Sequence, residues 1–218
     1  MSETIAAWLR SARGARLDRA RYEQDFGVSL GRADGADSWK LERRQSYSEA
    51  GFPSWEAFVA GDWDGALRLY EAERPAISAF QQELRRHRSH FYRVRVVAEP
   101  VSPYVQWEMH CLRLRAECGE NIRVIDHREV SGFESDGPLP ELVSLCGHVL
   151  YHTVYDESGR PDGAVSYRDA ELVRRYEDFA RALYQAGEGI ESYFGRKIAG
   201  LPPPHRDRSG TGQEQSGV

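Results

Sequence analysis

The feature that most constrains this chain is one unbroken stretch, FYRVRVVAEPVSPYVQWEMHCLRLRAECGENIRVID, from Phe91 to Asp126. Its first residues alternate with period two. Tyr92, Val94, Val96 and Ala98 share one face; Arg93, Arg95, Val97 and Glu99 share the other, which is a strand pattern. Pro100 stops the run. Ser102 then suits a helix N-cap, Pro103 the first helical position, and Gly119 the position just past the C-terminus. "NIRVID" (Asn121 to Asp126) reads as a second short strand. Two strands joined through a helix in one sheet run parallel with a right-handed crossover, so the stretch predicts a βαβ unit.

The flanking segments fit around that unit. Near the N-terminus a helix is expected with Ile5, Trp8, Leu9 and Ala12 on one side, carrying Arg10, Arg13, Arg16 and Arg19 spread around it. "GRADGADS" is a loop by its Gly and Asp content, and "WKLERRQSY" (Trp39 to Tyr47) reads as a strand. From Pro53 to His90 the pattern is helical, with Ser54 as one N-cap, Asp62 or Asp64 as the next, and Pro75 kinking a helix or starting one. "LCGHVLYHTVYDESGRPDGAVSY" gives one or two strands with a turn at Glu157 to Gly163, and Asp169 caps a last long helix with Leu172, Tyr176, Phe179 and Leu183 inward. The expected fold is therefore α/β: a small mixed sheet with a βαβ unit, an N-terminal helical region and a C-terminal helix. Residues 1–38 form the N-terminal helix and loop, 39–198 a single α/β domain, and 199–218 a disordered tail poor in apolar residues.

Composition narrows the function classes. In 218 residues, 40% are apolar and 29% charged, enough for one sizeable core. No apolar run approaches the ~18 residues that cross a bilayer, and the N-terminus has no signal-type apolar stretch. The chain reads as cytoplasmic, without a membrane. Its three cysteines contain no CxxC pair, which argues against a disulfide framework. A net charge of -5 makes nucleic acid an unlikely partner unless a local basic patch exists.

The candidate site is the junction between the first strand and the helix after it. Around that helix, Gln106, His110, Arg113 and Glu117 fall together as a polar face, while Glu108 and Arg115 stand inside the wide apolar arc. Charges there must be paired or solvated. Either they find structural partners such as Arg93, Arg95 or Asp126, or the helix lines a crevice. In the second case Glu99, Ser102, Tyr104, Trp107, Glu108 and Arg115 form a ligand site at the carboxyl end of a strand, where open α/β sheets bind ligands. An enzyme of unrecognised type using Glu108 or Glu99 would occupy the same crevice, and a strongly raised carboxylate pKa in a concave pocket would favour it.

Other constellations are weaker. Arg85, Arg86, Arg88, Arg93 and Arg95, interleaved with Phe91 and Tyr92, form a nucleic-acid surface only if all five side chains are exposed together. Cys111 and Cys118 lie ~10.5 Å apart along a helix, too far to bridge. His148, His152 and Asp156 would align as metal ligands on a helix, but the segment reads as a strand, where residues four apart stand ~13 Å apart. Cys146 and His148 have no supporting nucleophile context. No GxGxxG, P-loop, GxSxG or HExxH motif is present, so no catalytic residue, cofactor or metal is assigned.

The blocks KLERRQSY, PSWEAFVAGDWDGALRL, RVRVVAEPVSPYVQWEMH and AECGENIRV together resemble an actinobacterial family of unknown function. The resemblance covers roughly residues 39–186. It implies an accessory or regulatory protein, because such proteins are often encoded beside helix-turn-helix regulators; the partner would be such a regulator, or the ligand a small molecule. The strand–helix–strand order also resembles half of a phospholipase D-like fold. That superfamily's His-x-Lys signature has no lysine here, since "HTVYD" (His152 to Asp156) carries Val154 in its place, and the resemblance implies that the chemistry is absent.

Overall fold

The computed structural model describes residues 4–32 and 34–204. Its first element is α1 (Ile5–Ser11), capped by Thr4, whose hydroxyl accepts from the Ala7 amide. Ile5 and Leu9 are buried with Trp8 and Ala12 beside them, the side expected. The arginines of this region do not share that helix. α1 ends at Ser11, Arg16 lies in β1 (Ala15–Leu17), and Arg19 opens α2 (Arg19–Leu30). Gly14 explains the break. A Cβ there would come within 2.4 Å of Val165 Cγ1, so the chain is laid directly against another strand.

β2 (Ser38–Glu42) is the expected strand cut short, followed by a loop over residues 43–52. Next come α3 (Pro53–Ala60), α4 (Trp63–Glu71) and α5 (Arg74–Arg86). Asp62 caps α4 through the Gly65 amide, and Pro75 sits in the first turn of α5, where its missing N–H costs nothing. Ser54 is not the N-cap of α3. Phe52 holds that position, and Ser54 turns inward: its hydroxyl donates to Ala66 O at 2.7 Å and accepts from Trp107 Nε1 at 3.1 Å. A buried indole N–H needs such a partner.

β3 (Phe91–Val97), α6 (Pro103–Glu117) and β4 (Asn121–Asp126) make the βαβ unit, with Ser102 as N-cap of α6 and Gly119 at φ 109° past its end. After α7 (His127–Val130) follow β5 (Leu142–Leu145), β6 (Val149–Tyr155), β7 (Pro161–Tyr167), α8 (Ala170–Ala186), β8 (Glu188–Gly189) and α9 (Ile190–Lys197). Asp169 caps α8 as expected.

Among the described residues the strands form one eight-stranded mixed sheet, ordered β1-β7-β6-β5-β2-β3-β4-β8. β2, β3 and β4 are mutually parallel; every other neighbouring pair is antiparallel. The sheet is thus larger than expected, because β5 and β1 add to it at either end of the β6–β7 hairpin, and the N-terminal segment joins it through β1. Helices cover both faces. Val94 and Val96 point to α1 and α8, where Trp39, Leu41, Leu172 and Tyr176 fill the core. Val97, Ile122 and Val124 point to α6, α4 and α9, and α2 covers Val143, Val149, Tyr151 and Ala164 farther along that face. Burying each such side chain contributes ~1.5–3 kcal/mol.

Half of the predicted polar face of α6 is covered, while Arg113 and Glu117 stay exposed. Gln106 is buried and donates to Pro202 O at 2.8 Å, and His110 lies edge-on to Trp63 and Phe194. Pro202 belongs to the stretch expected to be a tail, of which residues 205–218 lie outside the described residues. No helix among the described residues is long and apolar enough to cross a membrane.

Candidate functional site

Between α2 and the α3–α4–α6 group, the sheet face over β2 and β5 carries charge instead of apolar cover. On adjacent strands Lys40 pairs in register with Arg93, and Glu42 with Arg95, so these side chains meet on that face. Glu42 accepts from Arg93 Nη1 at 2.6 Å and lies 2.6 Å from Lys40 Nζ. Arg93 Nε also donates to Glu120 at 2.6 Å, and Glu120 takes Arg115 Nε at 2.7 Å. Arg95, with no exposed surface, donates from Nε to Glu108 Oε2 at 2.8 Å and from Nη1 to Val96 O at 2.8 Å; its Nη2 lies 2.7 Å from the same Glu108 oxygen. Carboxylates from β2, α6 and the α6–β4 turn therefore neutralise guanidinium groups projected from β3 and α6.

The acids do not titrate alike. Burial works to raise Glu42, but the charges of Arg93, Lys40 and Arg95 outweigh it and hold the group far below its ordinary value. Glu120 is likewise lowered, burial being overcome by Arg93 and Arg115. Glu108 goes the other way. Burial, with Glu42 adding repulsion, pushes it up to about 7 despite Arg95. Both Arg95 nitrogens crowd its Oε2, and among the described residues no donor is bonded to Oε1.

This network forms the inner wall of a chamber of about 180 Å³ lined also by Glu49, Phe52, Tyr70, Trp107 and Cys111. Lys40, Glu42, Glu49 and Phe52 also line an outer cleft of about 550 Å³, whose far wall is Arg19, Tyr22 and Glu23 of α2 and whose floor is Leu142, Val143, Thr153 and Tyr155. The loop after β2 supplies its side: Tyr47 Oη donates to Glu141, and Tyr104 Oη donates to Glu49, each a short contact. Glu141 also accepts the amides of Arg43 and Arg44, which fixes the loop. Burial and neighbouring carboxylates raise Tyr47, Tyr104 and Tyr155. These phenols stay neutral donors.

A family model described as a domain of unknown function (DUF6879) matches residues 25–195. The chain belongs to that family. No curated protein matches it. The DUF6879 stretch contains β2 to β7, α3 to α8 and most of α9, hence the whole charge network; Arg19, Tyr22 and Glu23 of the cleft wall come from outside it.

Within the DUF6879 fold the sequence-predicted residues divide. Tyr104, Trp107, Glu108 and Arg115 stand around the chamber and its entrance. Ser102 does not line it: its hydroxyl donates to Gln45 O and caps α6 through Val105 N. Glu99 is elsewhere, paired with Lys197 at 2.8 Å beside Asp126, Arg128 and Tyr193 at the carboxyl ends of β3 and β4. The chain reverses between Glu99 and Ser102, which separates two residues close in sequence. Arg85, Arg86, Arg88, Arg93 and Arg95 do not form one exposed surface. The first three are exposed around the end of α5, whereas Arg93 and Arg95 are buried in ion pairs under α6. His152 lies in β6, as read, with His148 in the turn before that strand and Asp156 just after it, and no cluster among the described residues suits a metal ion. All three cysteines are buried thiols.

Sequence reasoning missed Lys40, Glu42, Glu49, Glu120, Glu141 and the tyrosines Tyr47 and Tyr155. One signal was present: KLE (Lys40 to Glu42) and RVR (Arg93 to Arg95) set charges at alternate positions in two predicted strands, which on a covered face requires mutual pairing.

Proposed function

We propose that this DUF6879 protein is a non-catalytic accessory module that binds a small polar molecule in the cleft above β2 and β5. The observation that carries the reading is the junction of the 550 Å³ cleft with a chamber walled by ionised side chains from separate elements. Cleft volumes of about 300–1,000 Å³ with a few convergent polar groups are typical of small-molecule sites. Buried ion networks cost desolvation energy, and apolar residues would serve packing better. A regulatory role, with a helix-turn-helix protein as downstream partner, fits a module whose bound ligand would contact the loop over residues 43–52. Descent from a phospholipase D-like fold, with its chemistry lost, fits the order of β3, α6 and β4 and the Val154 substitution.

Native mass spectrometry of the protein purified from its own cells, set against its denatured mass, tests this reading. An extra mass of a few hundred daltons, lost in a Glu108→Gln, Tyr104→Phe variant, is the expected result. A bare chain that takes up nothing from a metabolite extract overturns it.

One observation favours a second reading, an acid–base enzyme. Glu108 is pushed to about 7 by burial inside a concave site, the property a general acid or base needs near neutral pH. Its test is conversion of a metabolite by the wild type and loss of that conversion in Glu108→Gln.

A further inference from the structure

We propose that the chamber seats the protonated amine of a small organic cation between Glu49 and Glu108, with the ligand's carbon frame lying among Tyr47, Tyr104 and Tyr155 in the outer cleft. The assignment rests on the cleft being a ligand site and adds the chemistry of what it takes.

The argument begins with which charged atoms are already committed. Lys40 is held by Glu42, Arg93 by Glu42 and Glu120, Arg115 by Glu120, and Arg95 by Glu108 and main-chain oxygens. Every cation on the chamber wall thus has an anionic partner. Glu141 is saturated by two amides and a phenol. Glu49 and Glu108 differ. Glu49 accepts from Tyr104 at Oε1, Glu108 from Arg95 at Oε2, and among the described residues the second oxygen of each has no bonded donor. Glu108 is only 6% exposed and lines the chamber, so the space beside it is confined and not open to bulk water. A carboxylate oxygen that no protein donor reaches can accept from a ligand, and a cationic N–H is its strongest partner.

The local field agrees. Cys111, between these acids on the chamber wall, is raised by burial and then by the charges of Glu108 and Glu49; Tyr104 is raised by burial, Glu108 and Glu49. Neutral groups facing the space therefore sense both carboxylates, with Arg115 offsetting part of their effect at Cys111. The aromatic surfaces complete the fit. Phe52 and Trp107 border the chamber and the tyrosines the cleft, and ring faces attract an ammonium group while covering its alkyl or aryl stem.

Three probes with one carbon frame test the charge: 3-phenylpropan-1-amine, 3-phenylpropan-1-ol and 3-phenylpropionate, titrated at pH 7.5 by protein-observed NMR. The amine is expected to bind roughly tenfold or more tightly than the alcohol, a charged hydrogen bond being worth about 1.5–3 kcal/mol. The propionate should not bind. Glu49→Gln and Glu108→Gln should each reduce amine affinity by roughly tenfold and leave the alcohol within about twofold. Glu49 is half-buried, so its variant remains informative even where Glu108→Gln weakens the fold. Equal binding of amine and alcohol, or preference for propionate, overturns the cation assignment and leaves the ligand-site reading standing. Failure of all three probes to shift any cleft residue overturns the assignment, and with no co-purifying mass the broader reading falls too.

Discussion

Arg95 has no exposed surface, so its charge is stabilised only by what touches it: Glu108 on one edge and the main-chain oxygens of Val96 and Glu42 on another. Removing the carboxylate leaves that charge uncompensated. Glu108→Ala is therefore expected to lower unfolding free energy by about 3–5 kcal/mol in urea, whereas replacing both partners by apolar residues, as in Arg95→Met with Glu108→Leu, should recover most of it. A loss below about 1 kcal/mol in the single variant would mean that the main-chain oxygens of Val96 and Glu42 suffice to stabilise Arg95. At this scale the sequence was partly legible. Glu108 and Arg115 stand out because they interrupt an apolar helix face. Their partners stand out only in part: Glu108 bonds Arg95, one of the partners the sequence suggested, whereas Arg115 bonds Glu120, five residues on past the end of α6, which the helix pattern does not single out. Arg93 and Arg95 look like solvent-facing residues of an exposed strand until α6 is known to lie across them.

Elements are held at their seams by single residues. Gly163 in β7 has φ 102°, and a Cβ there would fall 2.2 Å from Leu17 O, against backbone that cannot give way. Gly163→Ala is expected to cost more than about 1 kcal/mol and to release β1 and α2 from the sheet edge. Hydrogen exchange reads this directly: amides of 15–30 should lose protection while those of β3 and β4 keep it. Uniform loss everywhere would show that the edge and the centre unfold together. Ser54→Ala tests another seam, since its hydroxyl joins α3 to α4 and to Trp107 of α6; leaving the indole N–H unpaired should cost about 1–3 kcal/mol by thermal or urea denaturation. Caps and strand runs were the readable part here. Ser102, Asp62 and Asp169 act through neighbours three residues away, so local sequence contains both donor and acceptor. Ser54 misleads because its partners are Ala66 and Trp107. The coverage of Gln106 and His110 is hidden for the same reason: α9 and Pro202 arrive from the far end of the chain.

For the whole molecule, the charged seam between sheet and α6 makes stability depend on pH in two opposed ways. Glu42 and Glu120 are lowered in the fold, so they bind protons less readily than in the unfolded chain; their contribution is full above the ordinary glutamate value of 4.5 and is lost as pH falls below it. Glu108 is raised from 4.5 to about 7, so the folded state holds a proton that the unfolded chain has released. Its contribution is present below 4.5 and declines as pH rises toward 7, by about 3 kcal/mol for the full shift. His110 and His152, lowered by burial, act in the contrary sense over part of this window, so the wild-type curve alone cannot isolate Glu108. Comparison with Glu108→Gln can, because the histidines are common to both proteins. Urea denaturation at pH 4.5 and pH 7.5 should show the glutamine variant gaining on the wild type by up to about 3 kcal/mol as pH rises. A difference that is the same at both pH values would show that Glu108 titrates in the fold as it does in the unfolded chain, so that Arg95 offsets its burial in full.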